Sequence, residues 1–357
     1  MKAARKKHKI GLYLSYLIVV VLFFELSFRM FFCLLFNQWD AFTNPSRLLY
    51  KFYPNLEKIS KQKVESSNQK IDILFLGGSV LTHWYGNIEE ELSKSLKEEY
   101  SLPIKIHNVA YPAHTSLDSR IKYSFLKDKA YDMILLYHGI NETRFNNCPK
   151  GFFQKDYSHV RFYNQIYALL NSKSKYSIFP FLFSFINPKY VKNFLVYGNF
   201  FLGQHEPIKK WKKFGEDIKT KKTFFENYVD ILEIANKKHI PVIAPTFVHY
   251  QAPNYNLDDF LAKKLDYGAA ISPIEIWGTP DFVIKGIEKH NEVIKEQFTH
   301  KQTYKQFHIL DMNKAFPKRG KYFNDICHFT KEGSREFVNH LFPLVKEKLE
   351  DHFTPLD

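Results

Sequence analysis

The segment Ile73-Leu-Phe-Leu-Gly-Gly-Ser-Val80 decides how this chain folds. It is a short apolar run, typical of a buried strand, and it ends in two glycines and a serine. Small residues leave space at the end of a strand, so the hydroxyl of Ser79 is predicted to lie at a sheet edge, open to an approaching molecule. A serine hydroxyl becomes a useful nucleophile when an imidazole accepts its proton and a carboxylate orients that imidazole.

A second segment, near the carboxyl end, supplies such groups. The run Asn324-Asp-Ile-Cys-His-Phe-Thr-Lys-Glu-Gly333 places Asp325 and His328 three residues apart, directly before a helical pattern. One turn of the chain can therefore carry both a base and its orienting carboxylate. Asp156 and His159 have the same spacing, but the helical pattern that follows His328 favours the later pair. The combination predicts a serine hydrolase or an acyltransferase.

Strand and helix patterns alternate through the body of the chain. Strands separated by helices are typical of a parallel sheet covered on both faces, so we predict an α/β fold with ligands bound at the carboxyl ends of the strands. The predicted strands are residues 71–76, 104–109, 133–137, 241–248 and 307–310. The predicted helices are residues 88–99, 116–129, 222–238, 281–298 and 331–349.

The amino end predicts a membrane anchor. A strongly basic tip precedes an apolar run from Ile10 to Phe36, in which only Glu25 and Arg29 are charged; these two either pair on one helix face or lie near the far interface. At about 1.5 Å per residue, the run exceeds the roughly 30 Å thickness of a hydrocarbon core. A cleaved signal peptide is the competing interpretation, but no small-residue cleavage site follows the apolar core. The basic tip predicts a cytoplasmic amino terminus, with the rest of the chain outside the cytoplasm.

The chain is expected to divide into three parts. Residues 1–36 form the basic tip and the transmembrane anchor, residues 37–69 form a polar tether, and residues 70–350 form the catalytic domain. About residues 151–203 form an aromatic-rich insertion in that domain. Two interpretations of the insertion stay open: helices packed on the sheet, or a lid or surface that contacts the bilayer.

Charge and cysteine content narrow the range of partners. The 357 residues carry a formal net charge of +14, spread along the chain. This indicates a solvated surface, with attraction to anionic lipid or acidic polysaccharide as the alternative. No compact basic and aromatic motif indicates nucleic-acid binding. The three cysteines have no zinc-site spacing, so neither a metal nor another cofactor is expected. Cys148 and Cys327 either form a disulfide or remain free buried thiols.

Two further segments follow predicted strands. Asn108-Val-Ala-Tyr-Pro-Ala-His-Thr115 comes after the second strand, and His138-Gly-Ile-Asn-Glu142 comes after the third. With the serine and histidine segments, they resemble the four blocks of the SGNH (GDSL-like) hydrolase family, in the same chain order. Gly78 stands where that family usually has an aspartate, and Ala113 stands where it has a glycine. The family's asparagine matches Asn141.

The resemblance implies a fold and a role for each block. The fold is a three-layer α/β/α sandwich with a parallel sheet of the flavodoxin-like kind. Ser79 would be the nucleophile, His328 the base and Asp325 its orienting group. The oxyanion hole would combine Ser79, Ala113 and the side-chain amide of Asn141. As alternatives, Ser79 is an ordinary turn serine, and Asn141 caps a turn or accepts a glycan.

The sequence therefore predicts a membrane-anchored serine esterase or O-acyltransferase that acts outside the cytoplasm through an acyl-Ser79 intermediate. Its substrate would be an acylated glycan or a similar ester, a class implied by the resemblance and by the predicted location. The alternative is a non-catalytic protein of the same fold that binds glycan or organises an envelope assembly. Hydrolysis and acyl transfer stay open, as do the acyl chain and the acceptor.

Overall fold

The computed structural model describes residues 2–65, 67, 69–185, 209–299 and 304–353. The chain forms two compact units, residues 1–53 with 158–202 and residues 54–157 with 203–357. The strands are β1 (Ile71–Gly77), β2 (Ile104–Asn108), β3 (Met133–Tyr137), β4 (Val242–Pro245) and β5 (Phe307–Leu310). The α-helices are α1 (Lys2–Phe36), α2 (Leu49–Phe52), α3 (Leu56–Ser60), α4 (Ile88–Glu99), α5 (Ser116–Leu126), α6 (Arg161–Leu170), α7 (Phe179–Phe185), α8 (Lys221–Asn236), α9 (Leu257–Leu261), α10 (Pro280–Thr299), α11 (Met312–Ala315) and α12 (Lys331–Phe353).

The second unit is built on one parallel sheet with strand order β2-β1-β3-β4-β5. Strands β1 and β3 are buried along their whole length, which explains their uninterrupted apolar sequences. The chain runs from β1 to β2 and then back past β1 to β3. Right-handed crossovers therefore place α4 and α5 on opposite faces of the sheet. Helix α4 packs with α12, and α5 packs with α8. The predicted α/β sandwich with a parallel sheet is confirmed.

Most predicted elements agree with the structure to within a few residues, and β4 shows why one does not. The strand was expected to reach Val248 but ends at Pro245. Beyond it, the N–H of Phe247 donates to Asn291 Oδ1 (2.6 Å), and the N–H of Val248 donates to the Tyr137 hydroxyl (2.9 Å). Because side chains accept these backbone protons, the ladder with β5 stops.

In the first unit, α1 is one continuous helix, and its residues His8–Phe36 are long and apolar enough to cross a membrane. Glu25 and Arg29 form an ion pair in this helix (2.7 Å). The same Glu25 carboxylate accepts the N–H of Ile178 (2.8 Å), and Arg29 donates to the carbonyl of Phe42 (2.9 Å). The two charges of the apolar run are thus bound to each other and to backbone groups of this unit.

The described part of the aromatic insertion, which contains α6 and α7, belongs with residues 1–53. Phe181 in α7 contacts Phe32 in α1, with ring centroids 5.2 Å apart. One interpretation of the insertion predicts helices packed on the sheet, whereas in the structure α7 packs against α1. Residues 186–203 of the insertion lie outside the described residues. Contact of this region with a bilayer stays a prediction.

The segment 37–69, expected to be a tether, is folded where the structure describes it. It contains α2 and α3, and the side chains of Leu48, Tyr53 and Leu56 are fully buried. Its polar composition suggested a linker because these apolar residues are widely spaced. Their burial depends on partners that are distant in sequence, which local composition does not reveal.

Candidate active site

Ser79, Asp325 and His328 are joined by a chain of hydrogen bonds at the carboxyl end of the sheet. Ser79 begins a 3₁₀ turn (Ser79–Leu81) just after β1. Its Oγ lies 2.7 Å from His328 Nε2, and His328 Nδ1 lies 2.7 Å from Asp325 Oδ2. Because Nδ1–H donates to the carboxylate, Nε2 keeps a lone pair that can accept the proton of Ser79. All three side chains are buried.

Backbone N–H groups hold the Asp325 carboxylate in place. Its Oδ1 accepts from the N–H groups of Cys327 and His328, both at 2.9 Å, and its Oδ2 accepts from that of Ser272 (3.0 Å). The Asp-x-x-His spacing is therefore a turn in which the carboxylate binds the backbone of its own histidine. A metal ion at Asp325, Cys327 and His328, whose ligand atoms lie within 4.8 Å of one another, would have to displace these bonds. Burial also raises the pKa of the Cys327 thiol well above its usual value, which makes it a poor ligand.

The side-chain amide of Asn141 has a defined orientation. Asn141 Oδ1 accepts from Trp277 Nε1 (3.0 Å) and from Arg144 Nη2 (3.1 Å). Its Nδ2 donates one hydrogen to the carbonyl of His114 (2.9 Å). The second hydrogen has no acceptor in the described part of the chain, and Nδ2 lies against the backbone of Gly78, directly before Ser79. The amide is thus fixed as a donor beside Ser79.

Ala113 adopts the conformation that a glycine would adopt easily. Its φ of +67° lies in the left-handed region, which costs an L-residue about 1–2 kcal/mol. The Ala113 carbonyl accepts from Arg144 Nη2 (2.8 Å), which helps to hold the turn. Its N–H finds no acceptor among the described residues. Alanine therefore keeps the backbone geometry that the resemblance assigns to glycine at this position.

These groups surround one cavity of about 190 Å³, which contains Ser79, Ala113, Asn141 and His328 in its wall. The rest of the wall consists of Tyr85, Pro112, Arg144, Ser272, Ile276 and Trp277. The ring of Tyr85 stacks on that of His328, with centroids 4.4 Å apart. A carbonyl carbon at Ser79 Oγ would have its oxygen close to the N–H groups of Ser79 and Ala113 and to the Asn141 amide. Such an arrangement suits acyl transfer through a tetrahedral intermediate.

Sequence reasoning missed Arg144, Trp277 and Tyr85 as parts of this site. Arg144 follows Asn141 by three residues on a 3₁₀ turn (Asn141–Asn146), so its spacing was a usable signal. Tyr85 lies in the loop after Ser79, which also suggests proximity. Trp277 is 136 residues from Asn141, and no local pattern connects the two.

Two other histidines named above do not belong to this chain of hydrogen bonds. The Ser79 hydroxyl binds His328 and not His159. His138 bonds to Ser119 (2.7 Å). All three cysteines are buried free thiols, so Cys148 and Cys327 do not form a disulfide. The interpretation of these two residues as free buried thiols therefore agrees with the structure.

Gly78 provides space that a side chain would fill. A Cβ at this position would lie 2.5 Å from Asn141 Nδ2 and 3.1 Å from the carbonyl of His114. We expect Gly78→Ala to push the Asn141 amide away and to lower esterase turnover by at least about tenfold, the scale of a weakened oxyanion donor. Turnover per folded molecule measures this effect. Unchanged turnover in a folded variant would contradict the assigned position of the amide.

A buried carboxyl links the third block to helix α5. Glu142 Oε1 accepts the N–H of Ser116 (2.5 Å), while Oε2 has no partner among the residues that the structure describes. Burial raises the pKa of Glu142 to about 7, and the bond from Ser116 partly offsets that increase. The folded protein therefore binds this proton more tightly than the unfolded chain does.

This shift predicts a pH-dependent stability. The contribution of Glu142 is fully present below its unfolded pKa of about 4.5 and is lost as the pH rises through about 7. Glu142→Gln stays neutral, so its Tm relative to the wild type should increase between about pH 5 and pH 8. Thermal unfolding of both proteins across this range is the measurement. A constant difference in Tm would show that Glu142 does not titrate there.

Comparisons with known proteins found solved structures of similar fold. No protein-family profile matches the chain, and no curated protein matches it. Among solved structures, a lipase/acylhydrolase from Enterococcus faecalis is similar at 14% identity, over 78% of this chain and 96% of that chain, with a TM-score of 0.39. A GDSL-like lipase from Bacteroides thetaiotaomicron VPI-5482 shares 10% identity over 84% and 97%, with a TM-score of 0.42. The acetyl xylan esterase AlAXEase shares 12% identity over 77% and 100%, with a TM-score of 0.38. These identities and TM-scores are low, and no function of this chain follows from them.

Proposed function

We propose that this chain is a membrane-anchored serine esterase or O-acyltransferase that works through an acyl-Ser79 intermediate. The observation that supports this most strongly is the unbroken hydrogen-bond chain from Ser79 Oγ through His328 to Asp325, at 2.7 Å for each step. An ordinary serine in a glycine turn does not need a buried imidazole and a carboxylate held by three backbone N–H groups.

The reaction would proceed in two halves. His328 Nε2 accepts the proton of Ser79 while Oγ bonds to the ester carbonyl carbon, and the negative charge on the carbonyl oxygen meets the oxyanion donors. The imidazolium then gives its proton to the departing alkoxide, which leaves as an alcohol. Water or a sugar hydroxyl attacks the acyl-enzyme with His328 again as base, and Ser79 is released with its proton. Water gives hydrolysis, and a sugar hydroxyl gives acyl transfer.

The substrate proposed is an acylated glycan or a similar ester carrying a short acyl group. At about 190 Å³, the cavity at Ser79 is smaller than the roughly 300–1,000 Å³ of typical ligand pockets, which suits an acetyl group better than a long chain. Comparing p-nitrophenyl acetate with p-nitrophenyl decanoate tests this size limit. We expect kcat/KM to favour acetate, and a preference for decanoate would contradict the proposed limit.

Hydrolysis and transfer can be separated by their products. The purified full-length protein would be given an acetyl ester with and without oligosaccharide in the same buffer. A transferase should form acetylated oligosaccharide, while an esterase should release acetate at the same rate in both samples. Mass spectrometry of the sugar and quantification of acetate measure the two products together.

The proposed location depends on α1, which we assign as a single-pass anchor with its amino end in the cytoplasm. Its basic tip and apolar run support this orientation by the positive-inside rule. Alkaline phosphatase fused after the carboxyl end should be active, because it folds only outside the cytoplasm. A cytoplasmic reporter such as β-galactosidase, fused at the same place, should be inactive. The reverse result would invert the topology.

A further inference from the structure

A second cavity, which we call the aromatic cavity, lies in the same unit as the sheet and has a volume of about 300 Å³. Its wall includes Trp84, Tyr111, Gln62 and His107. We propose that the aromatic cavity binds a sugar ring of the glycan that carries the ester. This proposal rests on the proposed function of Ser79 and deepens it by naming a site for the sugar part of the substrate.

Two loops connect the aromatic cavity with the cavity at Ser79. On the first loop, Trp84 lines the aromatic cavity, and the next residue, Tyr85, stacks on the ring of His328. On the second loop, Tyr111 lines the aromatic cavity, while Pro112 and Ala113 line the cavity at Ser79. Because neighbouring residues face the two cavities, a sugar ring in one would place its acyl substituent close to the other.

The aromatic side chains offer a stacking surface. Trp84 is 55% exposed although it is among the largest apolar side chains. Its ring lies edge-on to Tyr111, with centroids 5.4 Å apart and an interplanar angle of 77°. An exposed indole beside a second aromatic ring presents a flat apolar face, and the C–H face of a pyranose ring is flat and apolar as well. Sugar binding would bury this face.

Two residues of the cavity wall also carry a buried polar atom without a hydrogen-bond partner. His107 is 1% exposed, and its Nε2 lies 2.7 Å from Asp72 Oδ1, which leaves Nδ1 as the ring nitrogen that does not bind Asp72. Neither His107 Nδ1 nor Gln62 Oε1 has a hydrogen-bond partner in the ranges that the structure describes. Buried polar atoms are normally satisfied, and hydroxyl groups of a ligand would bind these two once side chains of the wall move to expose them.

The wall also contains two lysines and Glu89, whose carboxylate accepts from Asn108 Nδ2 (2.7 Å). Lys58 and Lys105 line the aromatic cavity, are exposed, and form no ion pair within the described residues. An ammonium group donates to sugar hydroxyls and, more strongly, to the carboxylate of an acidic sugar. Neutral and acidic sugars share the pyranose ring, so the experiment must distinguish between them.

The experiment measures binding without turnover. Full-length Ser79→Ala protein in detergent would be titrated with xylotetraose, chitotetraose and tetragalacturonate, and followed by tryptophan fluorescence and saturation-transfer NMR. We expect at least one sugar to bind with a Kd of about 1 mM or tighter, and Trp84→Ala to raise that Kd about tenfold. Trp84→Phe should raise it less, because the phenyl ring keeps part of the stacking face. Trp39, which is 56% exposed and lies in the other unit, provides the matched control Trp39→Ala, with an unchanged Kd.

The outcomes separate this site from the ester chemistry. If the protein prefers tetragalacturonate and Lys105→Ala removes this preference, the ligand is an acidic sugar. If a neutral sugar binds most tightly and Lys105→Ala leaves its Kd unchanged, the ligand is a neutral sugar. Binding of none of the three sugars, or equal binding by folded Trp84→Ala protein, would overturn the proposal. If only the catalytic proposal fails, the sugar will still bind, while Ser79 of the wild-type protein will not react with a fluorophosphonate.

Discussion

Replacing His328 with alanine is expected to lower esterase turnover by a factor of about 10⁴ or more, the loss typical of a missing triad member in serine hydrolases. His328 Nε2 lies 2.7 Å from Ser79 Oγ, so its removal leaves the nucleophile without a base. Turnover of p-nitrophenyl acetate, normalised to the folded fraction, is the measurement. Since His328 is buried, Tm of the variant must be recorded on the same preparation.

The second Asp-x-x-His pair of this sequence provides a matched control. His159 is also a buried histidine three residues after an aspartate. His159→Ala removes a side chain of the same size, so it reproduces the packing loss without touching the bond to Ser79. We expect its turnover per folded molecule to stay within a few-fold of the wild type. Equal losses in the two variants would show that the assignment of the base is wrong.

Replacing Asn141 with alanine is expected to reduce turnover by about 10²–10³, equivalent to roughly 2.7–4 kcal/mol for one oxyanion donor. The amide would act mainly on the charged intermediate, so KM should change by only a few-fold. The variant should also lose stability, because Trp277 Nε1–H loses its acceptor Asn141 Oδ1 (3.0 Å). Kinetics and thermal unfolding of one preparation separate the two effects.

Trp277→Phe serves as the comparison for Asn141→Ala. It removes the hydrogen bond to Oδ1 but leaves the Asn141 amide, which Arg144 still contacts (3.1 Å). We expect a loss of less than about tenfold in turnover, because the donor remains in place. An Asn141→Ala protein that is destabilised yet fully active would assign to Asn141 a structural role at the end of a turn.

The fold could be predicted from local patterns because its strands carry their own signal. Strands β1 and β3 are buried on both faces, so their sequences are continuously apolar, and amphipathic helices separate them. The turn at Asp325 could also be predicted, because the contacts between Asp325 and His328 span only three residues.

The parts that could not be predicted depend on distant partners. Trp277 reaches Asn141 from a separate loop, and no spacing in the sequence relates them. In the first unit, the carboxylate of Glu25 binds the N–H of Ile178, so the insertion packs with α1. The sequence left two interpretations of Glu25 open, a pair with Arg29 or a place near the interface, and the structure shows the pair (2.7 Å). The hydrogen-bond partner of Glu25 that lies 153 residues later could be found only in three dimensions.

The central claim is that Ser79 is an activated nucleophile, and reaction with a fluorophosphonate tests it most directly. The full-length wild-type protein in detergent should form one covalent adduct, and peptide mass spectrometry should locate it on Ser79. Ser79→Ala protein should form none, and His328→Ala should react far more slowly. If folded wild-type protein leaves Ser79 unmodified, or carries the adduct on another residue, the account of this site is contradicted.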